Sequence, residues 1–159
     1  MSQRVLGVDP GTAITGYGVL ECAHGDAGRL IECGVIRTNP RHALWMRLQQ
    51  LHDGLTEVIE RLQPQTLAIE SLFYGKNVRT IVSLGHARGA ILVAAAQAGL
   101  DVAEFPPATV KKAIVGNGGA DKGQVAYMVQ QLLRLRTAPE PDDAADGVAI
   151  ALTYLLTRA

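Results

Sequence analysis

The chain has 159 residues, of which 48% are hydrophobic and 19% are charged, and its formal net charge is zero. This composition excludes an intrinsically disordered chain and is typical of a globular domain with a hydrophobic core. The apolar runs are too short for a signal-peptide core or a transmembrane span, so we expect a cytoplasmic protein. The two cysteines and four scattered histidines lack zinc-finger spacing, which disfavours a zinc site.

Three strands are predicted first, at residues 4–9, 15–21 and 29–37. The first is a continuous apolar run that ends in Asp9-Pro-Gly, which is typical of a buried strand followed by a turn. Short links join all three strands, and the link at 23–28 has the composition of a hairpin turn. We therefore expect an antiparallel meander.

Helices and crossover strands make up the rest of the chain. Pro40 is expected to open a helix that ends near Pro64, because leucine and valine recur between them at helical spacing. Two further strands are predicted at 66–70 and 101–105, and four further helices at 77–97, 108–115, 122–135 and 143–157. This order predicts an α/β fold in which three antiparallel strands and two crossover strands form a mixed five-stranded sheet with helices on both faces. No repeat or linker divides residues 1–159, so we expect a single domain.

Charge is unevenly distributed along the chain although the net charge is zero. Residues 71–100 contain three basic residues and no acid, and residues 107–136 contain five basic residues and one acid. Residues 137–147 contain four acids and no base. Basic segments beside a concentrated acidic cluster suit an enzyme that binds phosphates next to metal ions, and ordinary surface charge is the alternative.

Four acidic residues lie at the predicted ends of strands and helices. Asp9 ends the first strand and Glu70 ends the fourth. Asp143 and Asp146 begin the last helix, and their i, i+3 spacing places them on one helix face. Bringing four carboxylates together without cations would be prohibitively costly, and hard oxygen ligands suit Mg²⁺. We expect two such ions, roughly 4 Å apart, that catalyse phosphodiester hydrolysis, with Mn²⁺ as a plausible substitute.

Other interpretations of these acids remain open from the sequence. Asp143 could be an ordinary acid of the first helical turn, and Asp9 could be a turn residue. Asp142 directly precedes Asp143, so the metal ligand could be either residue. Gly147 costs about 1 kcal/mol inside a helix, which suggests close packing at that position.

The segment after Glu70 carries candidate DNA-binding residues. Phe73 lies in a Phe-Tyr-Gly loop, where stacking on a nucleobase is chemically reasonable and a plain core anchor is the alternative. Lys76, Asn77 and Arg79 open the following helix, whose N-terminus is a natural phosphate site. Gly85 and Gly89 form a small-residue face that would let another helix approach closely, within the same chain or in a dimer.

Five ordered motifs together resemble RuvC-type crossover junction (Holliday junction) endodeoxyribonucleases. They are Leu-Gly-Val-Asp-Pro-Gly-Thr at 6–12 with Thr-Gly-Tyr-Gly-Val at 15–19, Ala-Ile-Glu-Ser-Leu-Phe-Tyr-Gly-Lys-Asn at 68–77, Leu-Gly-His-Ala-Arg-Gly at 84–89, Val-Lys at 110–111 with a lysine at 122, and Asp-Ala-Ala-Asp at 143–146 with Ala-Ile-Ala at 149–151. The resemblance covers nearly the whole chain.

The resemblance implies a fold, a reaction and partners. It implies a ribonuclease H-like fold and a homodimer that resolves four-way junctions by symmetric paired nicks in recombination and repair, together with a RuvA–RuvB branch-migration complex. The residues that match the family's four metal-binding carboxylates are Asp9, Glu70, Asp143 and Asp146. Phe73 matches an aromatic residue implicated in unstacking bases, and Lys111 and Lys122 match residues that contact the DNA backbone.

Three competing hypotheses remain. The first is another ribonuclease H-like nuclease or RNA-processing enzyme, from which only the substrate would distinguish this chain. The second is a phosphate-binding module of the actin-like or sugar-kinase type, which needs two lobes where 159 residues supply one. The third is an inactive module that binds branched DNA, which would gain nothing from four acids that repel phosphate.

Overall fold

The five strands form one mixed sheet. A computed structural model of the chain describes residues 1–24, 26, 28–72 and 77–158. The strands are β1 (Gln3–Asp9), β2 (Ile14–Cys22), β3 (Arg29–Arg37), β4 (Thr66–Glu70) and β5 (Asp101–Phe105). They pair in the order β3-β2-β1-β4-β5, with β1 to β3 antiparallel and β4 parallel to both β1 and β5. The predicted meander with two crossover strands is confirmed.

Helices cover both faces of the sheet, as the sequence predicted. They are α1 (Leu44–Leu62), α2 (Val78–Gln97), α3 (Pro107–Val115), α4 (Lys122–Leu132) and α5 (Asp142–Thr157). The buried side chains of α1 and α2 join one core cluster, and those of α3, α4 and α5 join a second. The sheet separates the two clusters, because alternate residues of each strand face opposite sides.

The prediction that Pro40 opens a helix is wrong. The side chain of Asn39 accepts a hydrogen bond from the backbone N–H of Arg41, and its carbonyl accepts one from His42. These bonds form a turn, so α1 begins only at Leu44. The predicted helix 122–135 is also too long, since Arg134 has a φ of 54° that a right-handed helix cannot accommodate.

Close contact between α5 and the sheet depends on glycines. Leu6 and Val8 of β1 face the first core cluster, whereas Val5 and Gly7 face α5. A Cβ atom on Gly16 of β2 would lie 1.7 Å from the carbonyl oxygen of Asp143, and one on Gly147 would lie 2.6 Å from the Cα of Tyr17. The first turns of α5 therefore rest directly on the backbone of the sheet, and the cost of Gly147 within the helix is explained by this packing.

Helix α2 has an unusual combination of composition and exposure. It is long and apolar enough to cross a bilayer by length and composition alone, and 22% of its apolar window is buried. One such helix is weak evidence for a membrane span, because core helices share these properties. Its buried residues, which include Ala87, Ile91 and Ala95, pack in the first core cluster.

Replacing Gly147 by alanine should push α5 away from the sheet. Alanine is a better helix former by about 1 kcal/mol, but its methyl group would collide with the backbone of Tyr17. We expect a net loss of about 2 kcal/mol or more in the free energy of unfolding, measured by urea denaturation. Gly118→Ala is the control, because a Cβ atom there makes only ordinary contacts. Equal stability of the two variants would contradict the close packing.

Candidate active site

The candidate site lies at the edge of the sheet where β1 and β4 end. Asp9 is the last residue of β1 and Glu70 is the last residue of β4. The parallel register pairs Val8 with Ile69, so the two acids follow side by side on adjacent strands. Asp9 continues the row of Val5 and Gly7, which places its side chain on the face covered by α5.

Helix α5 adds two carboxylates to this edge. One oxygen each of Asp9, Asp143 and Asp146 lies within 4.8 Å of the other two. Asp142, in contrast, is exposed at the first position of the helix. The structure thus places Asp143, not its neighbour Asp142, in the cluster. We call Asp9, Glu70, Asp143 and Asp146 the carboxylate cluster.

The cluster strongly disfavours a negative charge on Asp9. Burial, followed by the charges of Glu70 and Asp146 and by hydrogen bonds to both, raises the pKa of Asp9 from 3.8 to about 8. A divalent cation bound among these oxygens would relieve the repulsion, and the all-oxygen donor set fits Mg²⁺, Mn²⁺ or Ca²⁺ better than zinc.

Lys122 supplies positive charge to the cluster. Its Nζ atom lies 3.3 Å from Oδ2 of Asp146, and its side chain is 79% exposed. The charge of Asp146 raises the pKa of Lys122, with smaller contributions from Asp9 and Asp142. Lys122 is the first residue of α4, where a capping box between Asp121 and Gln124 fixes the start of the helix. The lysine therefore borders the carboxylates and remains open to solvent.

Arg88 is a residue of this edge that the sequence reasoning did not single out as functional. It is 9% exposed and donates a hydrogen bond from Nη1 to the backbone carbonyl of Glu70. Its Nη2 atom lies 3.0 Å from Oε1 of Glu104. Arg88 also lines a cleft of about 280 Å³ together with Asp9 and Glu70. The signals in the sequence are its place in the motif at 84–89 and its position among small and apolar residues of α2.

The other predicted DNA-binding residues are dispersed around the same edge. The side chain of Asn77 caps α2 by accepting a hydrogen bond from the Thr80 N–H at 2.9 Å, and Arg79 is exposed on the first turn. Lys111 is half-buried on α3. Phe73 and Lys76 lie outside the described residues.

Comparison with known proteins identifies the family. Residues 5–154 match the family model described as crossover junction endodeoxyribonuclease RuvC. The chain belongs to the RuvC family. A RuvC family protein from Chloroflexus aggregans, named crossover junction endodeoxyribonuclease RuvC, is 51% identical over 154 residues, which cover 97% of this chain and 93% of that protein.

Solved structures of the family have the same fold. Thermus thermophilus RuvC is 37% identical, with a TM-score of 0.89 over 97% of this chain and 94% of that one. The same protein in complex with a Holliday junction substrate gives a TM-score of 0.90, over 97% of this chain and 93% of that one. The fold is therefore the ribonuclease H-like fold of RuvC, as the sequence resemblance implied.

The pKa of Asp9 predicts how the stability of the metal-free protein depends on pH. A carboxyl whose pKa is raised by folding stabilises the protein below its unfolded pKa, and this contribution is lost as pH rises through the folded pKa. For Asp9 this stabilisation is lost between about pH 4 and about pH 8. We expect Asp9→Asn to be more stable than the wild type at pH 8 in EDTA, with a difference that shrinks toward pH 5. Parallel urea-denaturation profiles across pH would contradict this electrostatic account.

Arg88→Met should loosen the end of β4. The change removes the hydrogen bond to the carbonyl of Glu70, and we expect about 1–3 kcal/mol less stability. The affinity for a divalent cation should also fall in a Mn²⁺ titration, because Glu70 is held less firmly. Glu104→Gln is the control, since it leaves the bond to Glu70 intact, and Arg88→Lys should restore part of the function. If both controls behave like Arg88→Met, Arg88 acts only through its contact with Glu104.

Proposed function

We propose that this protein resolves four-way (Holliday) DNA junctions by symmetric paired nicks, through Mg²⁺-dependent phosphodiester hydrolysis, in recombination and repair. The observation that carries the proposal is the convergence of Asp9, Asp143 and Asp146 beside Glu70 at one edge of the sheet. Membership of the RuvC family and the similarity to a structure that contains a Holliday junction substrate support the choice of DNA.

The carboxylate cluster would hold the metal, with two Mg²⁺ ions as the proposed number and Mn²⁺ as a substitute. When bound, such ions promote the attack of water on the phosphodiester and stabilise the leaving 3′ oxygen. The chain's own contribution is to fix the ligand positions: α5 is seated on glycines, and Glu70 is held by Arg88. Because both supports are buried, the ligands need little rearrangement when cations bind.

Positively charged groups around the cluster would hold the DNA. Lys122 is exposed beside Asp146, so it can contact a phosphate next to the scissile bond. Lys111, Asn77 and Arg79 lie on the helices that begin at the same edge, and they suit further backbone contacts. Phe73 and Lys76 remain proposed DNA contacts from the sequence alone.

The exposed face of α2 suits a homodimer. Val82 and Val93 are 52% and 51% exposed on this helix. Apart from the adjoining backbone of α2, no described residue lies within 4 Å of a Cβ atom built on Gly85 or Gly89. The face is apolar and open, so a second copy of α2 could approach closely. Two active sites in one dimer would cut two strands.

We also propose that the protein acts in the bacterial cytoplasm. Its proposed partner there is the RuvA–RuvB complex.

Cleavage of a synthetic mobile four-way junction tests the proposal. The wild type is incubated with the junction, a linear duplex and an RNA–DNA hybrid, each with Mg²⁺ and with EDTA. We expect paired, symmetric nicks in the junction only, and only with Mg²⁺. Preferential cutting of the hybrid would assign the protein to ribonucleases instead, and junction binding without any cutting would assign it to DNA-binding modules.

Asp9→Asn should separate cleavage from binding. Loss of one ligand should lower the cleavage rate by about a thousandfold or more. Junction affinity should be equal or higher, because an acidic group that repels phosphate when it is ionised is replaced by a neutral amide. The matched control is Asp142→Asn, which removes the same charge at an exposed position outside the cluster and should keep near-normal cleavage. If the two variants lose activity equally, the assignment of the cluster is wrong.

A further inference from the structure

Large apolar side chains are exposed at the start of α1. Trp45, the only tryptophan of the chain, is 75% exposed, and its neighbours Leu44 and Met46 are 41% and 42% exposed. Tryptophan is rarely left open to water without a partner, since it is among the residues most enriched at binding surfaces. Within the described part of the chain these side chains are left open, so they are available to a binding partner.

The sequence around Trp45 is rich in basic residues. Residues 33–52 contain three arginines and two histidines and no acidic residue. Of these arginines, Arg37 and Arg41 are exposed. We call Arg41, Leu44, Trp45 and Met46 the Trp45 patch. A basic segment with an exposed aromatic residue has the chemistry of a nucleic-acid contact, in which arginines bind phosphates and the ring packs on a base or sugar.

The topology places the Trp45 patch at the same edge of the sheet as the carboxylate cluster. Asp9 at the end of β1 pairs with Gly16 near the start of β2. Ile14, the first residue of β2, pairs with Arg37, the last residue of β3. The end of β3 and the start of α1 therefore lie at the edge that carries Asp9.

Hydrogen bonds tie the base of the patch to the loop that follows Asp9. The carbonyl of Thr12 accepts hydrogen bonds from Thr38 Oγ1 and from Arg47 Nη2, the latter at 3.2 Å. Arg47 Nε also donates to Thr38 Oγ1 at 3.1 Å. Arg47 is therefore engaged in structural bonds. These bonds fix the backbone next to the exposed residues of the patch, and this order lowers the entropic cost of binding a ligand.

We propose that the Trp45 patch is an additional contact surface for junction DNA, where Arg41 binds a backbone phosphate and Trp45 packs against a base or sugar of the same strand. This inference rests on the proposed function, since the ligand is the same junction. Lys122 and the start of α2 form the proposed DNA surface near the end of β1. The Trp45 patch extends this surface along the same edge of the sheet toward β3. The patch lengthens the contact with one arm of the junction beyond the cleavage site.

Tryptophan fluorescence tests the patch directly, because Trp45 is the sole source of the signal. The Asp9→Asn protein in EDTA is titrated with a four-way junction, and binding is followed in parallel by gel shift. We expect quenching of the emission that saturates with the gel shift, and a loss of accessibility to iodide. A gel shift with unchanged emission would overturn the patch and leave the proposed function intact. An emission change on raising protein concentration without DNA would assign Trp45 to self-association and also overturn it.

The salt dependence of junction affinity provides a second test of the patch. Arg41→Gln should reduce the slope of log affinity against log salt by about 1, as expected for one lost phosphate contact. Trp45→Ala should weaken binding about fivefold or more with an unchanged melting temperature. Arg29→Gln is the matched control, because this arginine is exposed at the opposite edge, where β3 begins. Equal slopes for the Arg41 and Arg29 variants would refute the contact. If the parent protein binds no junction at all, the proposed function fails and the patch with it.

Discussion

The direct packing of α5 on the backbone of β1 and β2 is the constraint on which the site depends. Side chains normally separate a helix from the backbone of a sheet, but here glycines on both elements remove them. The carbonyl of Asp143 occupies the space where Gly16 would carry a Cβ atom, and Gly147 rests on Tyr17. Only this approach brings two carboxylates of α5 to the end of β1. The glycines near the acids are therefore as important to the site as the acids themselves.

The site is built around charge that is unfavourable in the isolated chain. Four carboxylates meet at a partly buried edge, where burial and then the charges of Glu70 and Asp146 raise the pKa of Asp9. The positive groups nearby, Lys122 on α4 and Arg88 on α2, differ in exposure. Lys122 faces solvent and can exchange a carboxylate for a phosphate, whereas Arg88 is buried and holds the backbone of Glu70. The carboxylate cluster therefore favours the binding of cations at the position where DNA phosphates would arrive.

Much of this arrangement could be predicted from the sequence because its signals are local. Strands β3, β4 and β5 appear at their predicted bounds, since each apolar run is closed by turn-forming residues or prolines. The acids at element ends were predicted for the same reason. The start of α1 was not, because the bonds of Asn39 to Arg41 and His42 compete with the helix. The role of Arg88 could not be predicted, because its acceptor is a backbone carbonyl 18 residues away along the chain.

Binding of Mn²⁺, followed by electron paramagnetic resonance, tests the central claim most directly. That claim is that Asp9, Glu70, Asp143 and Asp146 together form a cation site. The wild type and Asp142→Asn should bind Mn²⁺ with similar affinity, and Asp143→Asn should bind it far more weakly while remaining folded. Equal binding by the two variants, or no binding by the wild type, would show that the cluster is not a metal site.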